Sequence, residues 1–254
     1  MQRYFEINEY GNNIRCKLYF QDIKNIRKMV VFCHGFSGHK DNRAAERFAE
    51  KMISKYKNSA MVTFDWPSHG DDVKKRLHLT DCTTYLNLVL SYIRQNYKVD
   101  ELYAYATSFG GYLLLKYIYE QENPFKKIAL RCPAVNMYEV LSHTILLNDD
   151  MERLQKGKSI LVGFDRKVMI DMDFLNDLKK YDISQWDFLD YAEDMLILQG
   201  TADEVVSYEV VNDFAENNLI EMIPFEKTDH RFRDVVKMDL AIKYILEFYF
   251  FNNK

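Results

Sequence analysis

The heptapeptide Tyr105-Ala106-Thr107-Ser108-Phe109-Gly110-Gly111 decides the fold, because it joins two segments of different type. An apolar, strand-like run ends at Ala106, and a helix-like run begins at Tyr112. A serine on a tight strand-to-helix turn exposes its hydroxyl, and the turn needs small residues two positions before and two positions after the serine. Ala106 and Gly110 occupy those positions, although glycine is usual at both. The pattern predicts a nucleophile elbow at Ser108.

Short apolar runs alternate with amphipathic segments along much of the chain. The apolar residues of the segments 44–52 and 85–93 recur at about 3.6 positions, which is typical of helices. Short apolar runs suit strands that are buried on both faces of a parallel sheet. The strand-like runs are Met29 to Cys33, Ala60 to Phe64, Leu102 to Ala106, Ile128 to Leu130 and Met195 to Leu198. This alternation predicts an α/β fold with a mostly parallel central sheet and helices on both faces.

Two regions depart from this alternation. Near the start, strand-like runs at Tyr4 to Asn8 and Ile14 to Phe20 flank a turn-forming segment, which predicts an antiparallel N-terminal hairpin. Residues 134–190 are long polar and aromatic stretches, with a short strand predicted at Lys158 to Gly163 and a short helix at Phe174 to Tyr181. We interpret residues 1–254 as a single domain, with 134–190 as a small lid or cap insertion.

The composition excludes several classes of protein. A formal net charge of −4 and a pI near 5.9 give no basic surface for nucleic acid. The chain has no apolar run long enough for a membrane span, and its first twenty residues do not resemble a secretory signal. The four cysteines are widely spaced, which favours buried thiols in a reducing compartment. We therefore expect a cytoplasmic monomer or homodimer that binds a small molecule and neither nucleic acid nor membrane.

Polar residues capable of acyl-transfer chemistry follow three of the predicted strands. Ligands of open α/β sheets bind beyond the carboxyl ends of the strands. Ser108 follows one strand, Asp203 follows Met195 to Leu198, and His230 follows the last strand-like run, Leu219 to Ile223. A serine hydroxyl needs a neighbouring base, and the histidine needs a carboxylate to fix its tautomer. This order of serine, acid and histidine at strand ends along the chain predicts a catalytic triad of Ser108, His230 and Asp203.

Two backbone amides are predicted to stabilise the oxyanion of the tetrahedral intermediate. One is the N–H of Phe109, the residue after the nucleophile, and the other is the N–H of Phe36, after His34-Gly35. His34 itself is predicted to stabilise this loop through backbone hydrogen bonds, not to act as a base. No cofactor is implied, and the remaining histidines lack the spacing of a metal site. These histidines are His39, His69, His78 and His143.

Each site residue also has another interpretation. Ser108 alone fits a helix N-cap, and Asp203 fits a cap for a helix that begins near Val206. Glu204 competes with Asp203 for the role of triad acid. Asp229 adjoins His230, but consecutive side chains in a loop usually diverge.

Together these segments resemble the α/β-hydrolase family over nearly the whole chain. The motifs are His34-Gly35-Phe36, Asp65-Trp66-Pro67-Ser68-His69-Gly70-Asp71, Ala106-Thr107-Ser108-Phe109-Gly110, Gln199-Gly200-Thr201-Ala202-Asp203 and Asp229-His230. Within the family, the chain is similar to bacterial carboxylesterases of the cinnamoyl or feruloyl esterase type. The resemblance implies a serine esterase that forms an acyl-enzyme, with aryl or hydroxycinnamoyl esters as candidate substrates.

Three other features of function stay open. The same groups serve a thioesterase or a small-amide or peptide hydrolase, and the fold without turnover would serve a binding protein. The insertion is expected to determine specificity. Its large aromatic residues are candidates for the pocket wall: Tyr138, Phe164, Phe174, Tyr181 and Trp186.

Overall fold

A computed structural model describes residues 1–72, 76–164 and 166–251 of the chain. Its centre is an eight-stranded sheet in the order β1-β2-β4-β3-β5-β6-β9-β10. The first strand pairs antiparallel with the second, the second pairs antiparallel with the fourth, and the remaining neighbours are parallel. The strands are β1 Gln2–Glu9, β2 Asn12–Phe20, β3 Lys28–Cys33, β4 Ser59–Phe64, β5 Glu101–Thr107, β6 Lys127–Arg131, β9 Met195–Gly200 and β10 Glu221–Phe225; β7 Ile160–Val162 and β8 Val168–Ile170 form a separate antiparallel pair.

Helices cover both faces of the large sheet, as the sequence predicts. They are α1 Arg43–Lys55, α2 Leu79–Asn96, α3 Phe109–Glu120, α4 Met137–Val140, α5 Asn148–Gln155, α6 Met172–Lys180, α7 Tyr208–Asn217 and α8 Val235–Phe250. Alternate residues of β5 point to opposite faces, because side chains alternate along a strand. Ala104 and Ala106 pack in the core on the side of α2 and α3, whereas Tyr103 and Tyr105 pack in the core beside α1 and α8. The fold is that of an α/β-hydrolase, and the predicted fold class is confirmed.

The N-terminal hairpin is tighter than the sequence suggested. Glu9 pairs with Asn12, so the loop consists of Tyr10 and Gly11 alone. Both residues have positive φ, 49° and 74°, which is the conformation of a type I′ turn. This turn matches the twist of the two strands and sets the antiparallel edge of the sheet.

The insertion 134–190 folds against the main core. The predicted strand and helix are present as β7 and α6, and β8 and α5 are additional elements. Leu154, Ile160, Phe174 and Leu178 belong to the same apolar cluster as α2 and α3. The insertion is therefore anchored by burial, and its role as a lid stays a prediction.

Two findings bear on the environment of the protein. None of the described helices is long and apolar enough to cross a bilayer. The four cysteines are buried and unpaired with one another.

Candidate active site

Ser108 lies between β5 and α3 in a strained backbone conformation. Its φ of 51° and ψ of −122° are unusual for a residue with a side chain. The turn brings α3 so close to β3 that a Cβ at Gly110 would lie 2.1 Å from the carbonyl oxygen of Cys33. Ala106, where glycine is more usual, is fully buried in the core and is accommodated. The elbow geometry is thus compatible with the alanine.

Asp203 is held as a carboxylate next to His230. Its Oδ1 accepts hydrogen bonds from the N–H groups of Val205 and Val206 at 2.9 and 2.8 Å. Its Oδ2 lies 2.8 Å from Nδ1 of His230 and 3.0 Å from Nε2 of Gln199. Burial disfavours the charge, but the hydrogen bonds from His230 and the two amides outweigh burial, and the pKa of Asp203 lies below its usual value. The carboxylate fixes His230 with Nδ1 as a donor.

The two competing carboxylates contact backbone, not the imidazole. Glu204 Oε2 accepts the N–H of His230 at 3.0 Å and so holds the loop that carries the histidine. Asp229 accepts the N–H groups of Arg231 and Arg233 at 2.8 and 3.2 Å. Among the three candidate acids, Asp203 is the one placed to orient the His230 ring.

Ser108 and His230 both line one cavity of about 1070 Å³. Ser108 is partly exposed there, and the His230 side chain is 11% exposed. In the part of the chain that the structure describes, the side chains of Ser108 and His230 form no direct hydrogen bond with each other. Hydrogen bonds between catalytic groups are often long before a substrate tightens them, so proton transfer in a substrate complex does not require a direct hydrogen bond here.

The backbone amides of Phe36 and Phe109 remain available as donors. Neither N–H donates to a backbone carbonyl in the described regions of the structure. Phe109 is the first residue of α3, where N–H groups have no partner within the helix. The two rings pack edge to face with centroids 5.6 Å apart, which ties the loop after β3 to the elbow.

Two buried histidines support this loop from below. Nδ1 of His34 lies 2.8 Å from the Gly35 carbonyl oxygen, and its Nε2 accepts the N–H of Trp66 at 3.3 Å. Burial lowers the pKa of His34 to about 3, and burial together with His34 lowers the pKa of His69 to about 3. Both imidazoles are therefore neutral at physiological pH. His34 has the structural role that the sequence predicts.

The loop after β4 is held by a buried acid. Asp65 is fully buried, and its carboxylate accepts the N–H groups of Lys40 and Asp71 at 2.6 and 2.9 Å. The Lys40 ammonium lies 3.2 Å from the same carboxylate. A Cβ at Gly70 would overlap Asp65, so the glycine allows the loop to close around the carboxylate. The buried Asp65 carboxylate therefore fixes the conformation of the loop after β4.

The wall of the cavity differs from the prediction. Of the five aromatic candidates in the insertion, Phe164 alone lines the cavity. Phe174 packs against Phe109 instead, and Trp186 packs against Tyr119. The insertion contributes other lining residues: Met137, Val140, Ile145 and Arg166. The expectation for Tyr138, Phe174, Tyr181 and Trp186 was wrong, because these rings pack against other residues of the domain.

One group of side chains has the composition of a metal site. Ligand atoms of Cys132, Asp203 and His230 lie within 4.8 Å of one another. Burial, with the neighbouring Asp203 carboxylate, raises the pKa of the Cys132 thiol well above its usual value. A protonated thiol is a poor metal ligand, and His230 already pairs with Asp203. The cluster is better explained as a hydrogen-bonded support for the carboxylate.

Sequence reasoning missed Gln199 as a site residue. It is fully buried at the end of β9, and its amide donates to both Asp203 and the carbonyl of Val206. Its position four residues before the acid was the signal. Such a polar residue at the end of an apolar strand is costly unless it meets a partner.

The fold and the geometry of the site define the class of the protein as an α/β-hydrolase. The chain belongs to the serine aminopeptidase S33 family, whose model matches residues 24–184, more than half of its length. That match contains Ser108 and Phe36, whereas Asp203 and His230 lie beyond it. A comparison with curated proteins by sequence finds no match.

Solved structures share the fold at low sequence identity. A structure of Est1E from Butyrivibrio proteoclasticus with bound ferulic acid has a TM-score of 0.78 at 16% identity, covering 96% of this chain and 99% of that one. A putative hydrolase from Agrobacterium vitis S4 has a TM-score of 0.77 at 14% identity, with 98% of each chain covered. Alpha/beta hydrolase domain-containing protein 10 from mouse has a TM-score of 0.69 at 15% identity, with 96% of each chain covered.

Proposed function

We propose that this hydrolase cleaves carboxylic esters through an acyl-enzyme formed on Ser108. The observation that carries the proposal is the hydrogen bond of 2.8 Å between Asp203 and His230, at a cavity that also exposes the serine of a strained elbow. A histidine oriented by a carboxylate beside such a serine is the arrangement that activates a hydroxyl at neutral pH.

The first half of the reaction acylates the serine. His230 Nε2 removes the Ser108 proton as Oγ attacks the ester carbonyl carbon, and the negative charge that develops on the carbonyl oxygen is held by the N–H groups of Phe36 and Phe109. The imidazolium is stabilised by Asp203. It then donates its proton to the departing alkoxide, so that the carbon–oxygen bond breaks and an alcohol leaves.

The second half returns the enzyme to its starting state. His230 removes a proton from water, the resulting hydroxide attacks the acyl carbon, and the same two amides stabilise the oxyanion. The Ser108 oxygen leaves with the proton held by His230, and a carboxylic acid is released.

The apolar part of the cavity suits the hydrocarbon of an acyl or aryl group. Phe36, Met137, Val140 and Ile145 supply apolar surface near Ser108. The likeness in fold to Est1E, whose structure holds ferulic acid, makes aryl and hydroxycinnamoyl esters reasonable first substrates.

Hydrolysis of an amide or peptide is the second candidate, because the family description is that of a serine aminopeptidase. Such an enzyme needs carboxylates for the ammonium group of its substrate. Three carboxylates line the cavity: Asp41 and Glu46 both lie within 4.0 Å of the Lys17 ammonium, and Glu50 is exposed on α1. We therefore favour the ester, and a panel of aryl esters, acyl thioesters and aminoacyl amides separates the three activities.

Replacement of the nucleophile tests the proposal. The Ser108→Ala variant is expected to lower kcat for p-nitrophenyl butyrate by about 10⁴-fold or more, since it removes the hydroxyl that the elbow presents to the cavity. Ser54→Ala, an exposed serine on α1, is the matched control and should keep wild-type turnover. Labelling by a fluorophosphonate probe should be lost in the first variant alone. Wild-type turnover by Ser108→Ala would refute the assignment, and a wild-type protein that neither turns over nor labels would instead favour a binding protein.

A further inference from the structure

Arg131 is a buried cation at the edge of the candidate site, and no carboxylate among the described residues pairs with it. It ends β6, next to Thr107 of β5, and its carbonyl accepts the N–H of Ser108 at 3.1 Å. The residue is 6% exposed and lines the same cavity as Ser108. Within the described regions, its guanidinium makes one hydrogen bond, from Nη1 to the Met238 sulfur at 3.2 Å, and it forms no ion pair. A thioether is a weak acceptor for a charged donor.

The polar groups beside this cation are also incompletely satisfied. Nε of Arg131 and the hydroxyl of Tyr105 are both buried, and neither has a hydrogen-bond partner among the residues that the structure describes. Tyr105 is close enough for the Arg131 charge to influence its pKa, which burial raises above its usual value. Buried donors are almost always paired, and an unpaired buried charge is strongly unfavourable. Two such groups together indicate a site that an anion completes.

The surrounding cavity has a positive balance. Among the described residues that line it are six arginines and three carboxylates, and two of those carboxylates already pair with Lys17. The arginines are Arg43, Arg47, Arg131, Arg166, Arg231 and Arg233. Some are occupied: Arg47 pairs with Asp239 at 2.5 Å. Of the six, Arg131 is the one that is buried, so its charge is the least screened by solvent.

Apolar lining residues and the guanidinium reach the cavity from different parts of the chain. Met137, Val140 and Ile145 come from the insertion, whereas Arg131 ends β6 and contacts Phe232 and, on α8, Met238. A substrate with its carbonyl at Ser108 therefore has both apolar side chains and a buried guanidinium within the same cavity. Guanidinium groups recognise carboxylates through paired N–H donors.

We propose that Arg131 forms an anion subsite, and that the preferred substrates are esters that carry a carboxylate in addition to the scissile ester. This inference rests on the proposed esterase function. The carboxylate accepts hydrogen bonds from the Arg131 guanidinium and replaces the missing ion-pair partner.

Matched pairs of esters test the specificity. Monophenyl adipate carries a carboxylate in its acyl part, and phenyl hexanoate lacks it. In the second pair, 4-acetoxybenzoate carries a carboxylate in its leaving group, and phenyl acetate lacks it. We expect at least one anionic ester to exceed its neutral partner in kcat/KM by about tenfold or more, the range of a charged hydrogen bond. Arg131→Gln should abolish that preference, and Arg131→Lys should retain part of it. The quantity compared is the ratio of the two kcat/KM values.

The control is Arg27→Gln, which removes the same charge at an exposed position where β3 begins. It should leave the ratio at the wild-type value. An equal preference for anionic and neutral esters in the wild-type enzyme would overturn the proposal, as would a preference that survives in Arg131→Gln.

A binding measurement separates this inference from the esterase itself. Ser108→Ala cannot form the acyl-enzyme but retains the subsite, so adipate should bind it in calorimetry and raise its melting temperature above that in chloride at equal ionic strength. The double variant Ser108→Ala, Arg131→Lys should bind more weakly, and Ser108→Ala, Arg131→Gln should not bind. If the wild-type enzyme hydrolyses none of the esters but Ser108→Ala still binds adipate, the proposed esterase function is refuted and the anion subsite is retained. Equal adipate binding by all three proteins would refute the subsite.

Discussion

His69 provides a thermodynamic test of the packing beneath the candidate site. The residue is 2% exposed, and its Nδ1 lies 2.8 Å from the Pro67 carbonyl oxygen. Its Nε2 is buried and has no hydrogen-bond partner in the described part of the chain. Its ring contacts Phe36 and stacks on Phe109. A proton on Nε2 would place a charge in an apolar environment beside His34. Acid should therefore destabilise the fold through this residue.

The pKa values fix the sign and the size of the effect. The pKa of His69 is about 3 in the folded chain, and its ordinary value of 6.5 applies to the unfolded chain. Between these values the unfolded chain binds a proton that the folded chain excludes, so the free energy of unfolding falls as the pH falls. One such histidine lowers it by about 1.4 kcal/mol per pH unit, or about 2 kcal/mol between pH 7.5 and pH 5.0. Above pH 7.5 the contribution vanishes, because both states are neutral.

Urea unfolding at pH 7.5 and pH 5.0 measures the effect. His69→Asn keeps an N–H donor near the Pro67 carbonyl and cannot titrate, so its pH-dependent loss should be about 2 kcal/mol smaller than that of the wild type. His143→Asn is the matched control, because its side chain is 73% exposed and its removal should leave the wild-type loss unchanged. The reasoning is refuted if His69→Asn loses as much stability between the two pH values as the wild type does.

Two further substitutions test the candidate triad and the elbow. Asp203→Asn should lower kcat/KM for an aryl ester by about 10⁴-fold through loss of the correct tautomer. Glu204→Gln alters the contact with the His230 N–H and an exposed ion pair with Arg233, and should lower kcat/KM less than tenfold. Comparable losses would contradict the assignment of the acid. Gly110→Ala places a Cβ 2.1 Å from the Cys33 carbonyl oxygen and should cost at least about 3 kcal/mol in urea unfolding, whereas Gly111→Ala, with its Cβ 3.0 Å from the nearest side-chain atom, should cost less. Equal stability of the two variants would contradict the packing argument.

The central sheet could be predicted because its strands are buried on both faces. The interior strand β3 is continuously apolar over five residues, β4 is apolar from Ala60 to Phe64 apart from Thr63, and no helical period competes with that pattern. The residues after the strands could be predicted for a related reason. A parallel sheet brings the carboxyl ends of its strands to one edge, so order along the chain is enough to assemble Ser108, Asp203 and His230.

The cavity wall could not be predicted in the same way. The insertion contains elements of three to nine residues, and such lengths carry no clear period. Large aromatic residues were expected to face the ligand. Instead, Phe174 packs against Phe109, and Trp186 packs against Tyr119. Which side of a short helix faces the core depends on contacts distant in sequence, and these contacts become visible with the structure.

Arg131 illustrates the same limit for charged residues. An arginine at the end of an apolar strand predicts that the strand end is exposed to solvent, because arginines are mostly exposed. Here β6 lies between β5 and β9 in the sheet, and Phe232 and Met238 cover the Arg131 side chain. Burial of this charge follows from sheet order, which sequence spacing does not specify.

Backbone strain connects these observations to function. Among the described residues, eight that are not glycine have positive φ, and three of them, Ser37, Ser108 and Phe232, line the cavity. Such conformations persist only where the surrounding packing enforces them. Ser37 also accepts the N–H of Phe164 at 3.2 Å, so the strained loop after β3 is tied to the insertion. The insertion therefore acts on the candidate oxyanion loop as well as on the cavity wall, and changes in it should alter turnover together with substrate preference.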